Sequence, residues 1–138
     1  MRRIKLGIII LAASASASAK LSEEVSAMAP LAAAQSLTLP QKNASRAAQM
    51  YLKSSAISRE GLIRQLASRT EGYEYSDACV AVDSLHINWK LQAEKSAKLY
   101  LNHYEFSCQG LIHQLSSDAE KFKLEEATYG ANAAGACQ

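Results

Sequence analysis

In 138 residues the chain carries fifteen basic and thirteen acidic side chains, a formal net charge of +2. Three of the cations, Arg2, Arg3 and Lys5, belong to a leader that export would remove, which leaves twelve basic against thirteen acidic side chains. A mature chain so close to neutrality has no strong general attraction for nucleic acid or anionic lipid.

The leader reads MRRIKLGIIILAASASASAK, with its cations ahead of an apolar run from Leu6 to Ala13 and small residues after it. This is the layout of a secretory signal peptide, and Ala17-Ser18-Ala19 offers an A-x-A cleavage site before Lys20. The apolar run falls short of the roughly 20 residues that span a bilayer. The expected product is exported to the periplasm or cell surface and soluble once residues 1–19 are removed. Residues 20–43 are rich in Ala and Ser, with Pro30 and Pro40 as breakers, and read as a flexible tether.

From Ala44 onward the chain repeats itself. Ala44 to Asn88 aligns without a gap over Ala93 to Cys137, at a constant offset of 49 positions, and the identities include Ala44/Ala93, Ala48/Ala97, Tyr51/Tyr100, Leu52/Leu101, Ser58/Ser107, Gln65/Gln114 and Glu71/Glu120. The run Gly, Leu, Ile, x, Gln, Leu occurs in both copies, from Gly61 and from Gly110. Such a register marks a tandem duplication, giving one unit over 44–88 and a second over 89–138.

Each unit predicts three short helices, so the fold class is all-α. In the first segment Ala44, Ala48, Tyr51 and Leu52 line one face of a helix, as do Ala93, Ala97, Tyr100 and Leu101, with Asn88 as an N-cap for the second copy. The second segment opens at the N-cap residues Ser58 and Ser107 and buries Leu62, Ile63 and Leu66, or Leu111, Ile112 and Leu115. Gly61 and Gly110 lie inside it, where glycine costs about 1 kcal/mol relative to alanine, so a helix is expected to cross close above each. Gln65 and Gln114 are assigned to a structural bond with a neighbouring backbone rather than to a ligand.

The third segment carries Ala78, Ala81, Val82 and Leu85, matched by Ala127, Gly130, Ala131 and Ala134, after a turn anchored by Tyr73 or Phe122. Helices of about ten residues are marginal alone and need neighbours. Trp89 is placed in the core or at the junction of the repeats. Of the three cysteines, Cys79, Cys108 and Cys137, none occupies matching positions in the repeats. The candidate pair is Cys108 with Cys137, both in the second unit, and the absence of any disulfide fits the sequence equally well.

The duplicated A-x-x-x-A-x-x-YL and S-x-x-GLI-x-QL motifs, with an aromatic turn, a small-residue helix and Trp89 between the copies, resemble the host cell surface-exposed lipoprotein (Ltp) family. That resemblance covers Ala44 to Ala134. It implies tandem helix-turn-helix-like domains after a tether and a role in superinfection exclusion, in which a protein displayed on the cell surface blocks DNA injection by an incoming phage. It also implies a phage tail component, such as the tape-measure protein, as partner. Three departures stand out. No cysteine follows the signal peptide, so lipid anchoring is not supported; Glu74 and Lys123 stand where the family often has Thr; and Cys108 replaces the basic residue found at Arg59.

Other functions fit less well. The third segments, SDACVAVDSL and EEATYGANAA, hold Asp77, Asp83, Glu125 and Glu126 and no Lys or Arg, the wrong face for phosphate. His86, His103 and His113 are not repeated and form no catalytic or metal-ligand pattern, so no enzyme activity, cofactor or metal is expected. Arg59, Arg64 and Arg69 decorate the first unit's second segment and are the candidate partner-binding residues. The two readings that remain are superinfection exclusion and a general envelope-associated scaffold.

Overall fold

The computed structural model describes residues 36–138; the signal peptide, its cleavage site and most of the tether lie outside the described residues. Among the described residues there are six helices and no strand: α1 Leu39–Ser54, α2 Arg59–Leu66, α3 Tyr75–Asp83, α4 Trp89–His103, α5 Cys108–Leu115 and α6 Leu124–Ala133. The first three form one repeat and the last three the other. Every extensive helix-on-helix contact lies within one repeat, with α1 on α3 and α4 on α6 the broadest.

The first helix begins at Leu39, five residues before Ala44 and inside the stretch read as a tether. Thr38 is its N-cap: the Thr38 hydroxyl accepts from the Gln41 amide at 3.4 Å and the Gln41 side chain accepts from the Thr38 amide at 3.0 Å. Pro40 therefore starts a helix rather than breaking one, since a proline in the first turn forgoes an amide that would have had no partner. Gln41 also donates to Asp77 at 2.9 Å, fastening the start of α1 to α3.

Each repeat has its own core, and the two cores match position by position. Ala48, Leu62, Ile63, Leu66, Ala78 and Val82 fill the first; Ala97, Leu111, Ile112, Leu115, Ala127 and Ala131 fill the second, together with Ala93 and Phe122. A fully buried leucine contributes about 1.5 to 3 kcal/mol, so three large aliphatic side chains on an eight-residue helix hold each α2-type helix in place. Trp89 opens α4 yet packs against the first repeat's core, so it fastens the start of one repeat to the body of the other.

Turns are duplicated as faithfully as cores. Gly72 and Lys121, at equivalent positions, both take a positive φ of 72° and 61°, and Tyr73 and Phe122 follow them with amides bonded to Leu66 O and Leu115 O at 3.1 Å. His86 and Gly135 are a second equivalent pair with positive φ, 50° and 90°, ending α3 and α6. Only glycine adopts such a conformation freely, so Lys121 and His86 are held there by the turn they close.

The crossing expected over Gly61 and Gly110 is not there. A Cβ at Gly61 would lie 3.0 Å from Ser58 Oγ and 3.1 Å from Ile57 Cγ1, and one at Gly110 would lie 3.0 Å from Ser107 Oγ. These glycines make room for the N-cap hydroxyls, which accept from their amides at 3.0 and 3.1 Å. The close crossing is at Gly130, where a Cβ would sit 2.6 Å from the carbonyl carbon of Ala93. There α6 meets α4 backbone to side-chain-free backbone, whereas the first repeat has Ala81 at the same place.

Candidate functional site

Three of the polar identities, Tyr51/Tyr100, Gln65/Gln114 and Glu71/Glu120, converge in space. Tyr51 donates its hydroxyl to the Glu71 carboxylate at 2.6 Å and accepts from the Gln65 amide at 3.1 Å. Tyr100 does the same with Glu120 at 2.5 Å and Gln114 at 3.2 Å. The glutamines thus bond a tyrosine hydroxyl, not the backbone partner expected of them. The bond to Glu71 raises the Tyr51 pKa; burial and then the bond to Glu120 raise that of Tyr100.

Each triad borders a cleft. In the first repeat Ala47, Met50, Tyr51, Ser54 and Glu71 line a cleft of about 440 Å³. In the second, the equivalent Ser96, Leu99, Tyr100, His103 and Glu120 line one of about 250 Å³, joined by Tyr104 and by Ala56 of the first repeat. The α1–α2 connection of repeat one therefore forms part of the wall of the cleft in repeat two. Its Ser58 hydroxyl donates to the backbone oxygen of Glu120 at 2.5 Å, and Ser58 is fully buried, while the equivalent Ser107 is exposed. A groove of about 320 Å³ flanks this seam, lined by Lys53, Lys95 and Lys98 among others.

No cluster of three metal-ligating side chains occurs among the described residues. What the described residues present is a pair of equivalent clefts, one of them walled in part by the other repeat.

The model of the host cell surface-exposed lipoprotein family matches residues 40–85 and, a second time, residues 88–133. The chain belongs to this family. Its fold is similar to the solved structure of Ltp, a superinfection exclusion protein from the Streptococcus thermophilus temperate phage TP-J34, at 29% identity and a TM-score of 0.64. The similarity covers 70% of this chain and 97% of that one. No curated protein matches. A family described as host cell surface-exposed fits an exported protein, and among the described residues no helix is long and apolar enough to cross a membrane.

In the Ltp-family repeats two of the three arginines are held in ion pairs and the third is exposed. Arg59 makes a two-pronged pair with Asp83 at the end of α3, both bonds 2.7 Å, and Arg64 pairs with Glu60 one turn back at 2.8 Å. Arg69 is exposed and lies beyond the end of α2. At the position equivalent to Arg59, Cys108 is bonded to Cys137, which lies beyond the end of α6. One repeat thus clasps its second helix to its third ionically; the other ties its second helix covalently to the chain after the third. Cys79 is free.

The departures at Glu74 and Lys123 also find a place, because both are helix N-caps that make no side-chain capping bond. In α6 the buried Glu126 compensates by reaching back to accept from the Lys123 amide at 3.0 Å. His86 serves the α3 turn, and His103 and His113 are exposed. The residues that sequence reasoning assigned least weight, Glu71 and Glu120, carry the polar geometry; the signal that could have found them was their identity in both copies.

Proposed function

We propose that this chain acts in superinfection exclusion as an exported, non-catalytic binding module that obstructs phage DNA injection. The observation that carries the reading is the double family match together with the likeness to a phage superinfection exclusion protein over nearly all of that protein's length. The partner is a phage tail component that meets the cell at injection, of which the tape-measure protein is the leading instance. Display outside the cytoplasm puts the module where such a component passes.

Arg64 and Arg69 are the arginines offered to the partner, since Arg59 is committed to Asp83. Exposed ion pairs of the Arg64–Glu60 kind contribute only about 0 to 1 kcal/mol and yield readily to a competing carboxylate.

Plating a panel of tailed phages on cells that express the chain tests the role. Protection is expected with the signal peptide present and is lost when residues 1–19 are deleted. Arg64→Ala with Arg69→Ala is expected to lower protection with an unchanged melting temperature. Protection that persists from the cytoplasm sinks the mechanism, and a panel that plates normally on every strain favours an envelope scaffold instead.

A further inference from the structure

The two clefts are built from equivalent residues: all five lining the first, Ala47, Met50, Tyr51, Ser54 and Glu71, have counterparts lining the second. They differ in their walls: the smaller second cleft is also lined by Ala56 of repeat one, and the capping hydroxyl of the buried Ser58 donates to the Glu120 backbone oxygen beside it, whereas the first is lined by residues of its own repeat. The seam shows what this surface accepts, namely a turn of small uncharged side chains that enters a serine-capped helix.

We infer that the cleft of the first repeat is the partner-docking surface, and that it takes a segment of a partner protein with the chemistry of Ser55–Ser58: small neutral residues, one aliphatic residue and a Ser or Thr N-cap. The arriving hydroxyl donates to the backbone oxygen of Glu71 as that of Ser58 does to Glu120. Met50, 70% exposed at the cleft, supplies adaptable apolar surface for the aliphatic residue. A second copy of this chain is a poor occupant, because its equivalent turn reads Tyr104-Glu105-Phe106-Ser107. That turn would set the Glu105 carboxylate against Glu71 and two rings where Ser55 and Ile57 stand, and like charges brought together disfavour an interface.

This gives the binding role proposed above a surface, and rests on that reading only for the source of the segment. The test uses the exported chain, residues 20–138, and a blocked peptide of residues 54–66, SSAISREGLIRQL, as probe. Titration followed by NMR is expected to shift the amides of Ala47, Met50, Tyr51, Ser54 and Gly72, with one peptide bound per chain. A peptide with Ala56→Glu, or a chain with Ala47→Arg of unchanged melting temperature, is expected to bind at least about tenfold more weakly. The proposal is overturned if the first-repeat amides do not move, if only second-repeat amides move because the peptide displaces the internal turn, or if the Ala56→Glu peptide binds equally well. Self-association of the chain that shifts the same amides assigns the cleft to a second copy and also overturns it. Peptide binding is read without phage, so a failure of superinfection exclusion leaves this result standing, and the reverse.

Discussion

Tyr100 illustrates how a duplicated residue serves structure. Its hydroxyl is held between Glu120 and Gln114, and its raised pKa means that the bond to Glu120 is fully present below the ordinary tyrosine value of about 10 and is lost as pH rises through the higher folded value. Stability should therefore fall in the alkaline range, and Tyr100→Phe should remove about 1 kcal/mol at neutral pH while flattening that decline, as read by thermal melts across pH. Glycines give a second residue-scale test. Gly130→Ala drives a Cβ into the Ala93 backbone and is expected to lower stability by about 1 to 3 kcal/mol. Gly110→Ala meets the Ser107 capping hydroxyl at 3.0 Å and the Phe106 ring at 3.7 Å, side-chain atoms rather than backbone, and gains helix propensity, so its midpoint should stay closer to the parent's. Equal losses at both would contradict the packing described.

At the scale of elements, the helices were legible in the sequence because apolar spacing and serine caps are local signals. Leu62, Ile63 and Leu66, and their counterparts, were placed in the core by period alone, and all are buried. The start of α1 was misread because Pro40 looks like a breaker unless the Thr38–Gln41 capping box is noticed. Gly61 and Gly110 were misassigned for a related reason: a glycine's nearest neighbour can be its own N-cap, and spacing does not distinguish that from a crossing helix. The convergence of Tyr, Gln and Glu was visible only as repeated identities, since tertiary contact carries no sequence period. The two clasps offer a test of the repeats as separate units. The Cys108–Cys137 bond, spanning a separation of 29 residues, contributes about 3 kcal/mol to repeat two alone. Trp89, the sole tryptophan, packs against the core of repeat one, so its fluorescence reports that repeat while circular dichroism reports both. Reduction should bring forward the melt seen by circular dichroism and leave the fluorescence transition behind; coincident shifts would mean that the repeats melt as one. The ionic clasp behaves differently. Arg59 lowers the Asp83 pKa, so its contribution is present above the ordinary carboxylate range and is lost as pH falls through the lowered value, and at these exposures Asp83→Asn should cost no more than about 1 kcal/mol.

For the whole molecule, duplication explains both stability and the availability of a binding surface. Two small cores, each too small to be robust alone, are joined by Trp89 and by the bond from Ser58 to the Glu120 backbone, and the cleft of the first repeat is lined by its own residues. The role proposed above is obstruction of DNA injection, a step that follows attachment of the phage. The most direct measurement follows one infecting phage with labelled DNA on cells with and without the exported chain, scoring attached particles and intracellular DNA in the same culture. Equal attachment with reduced DNA entry is the predicted result. Equal entry, or a loss confined to attachment, would contradict it.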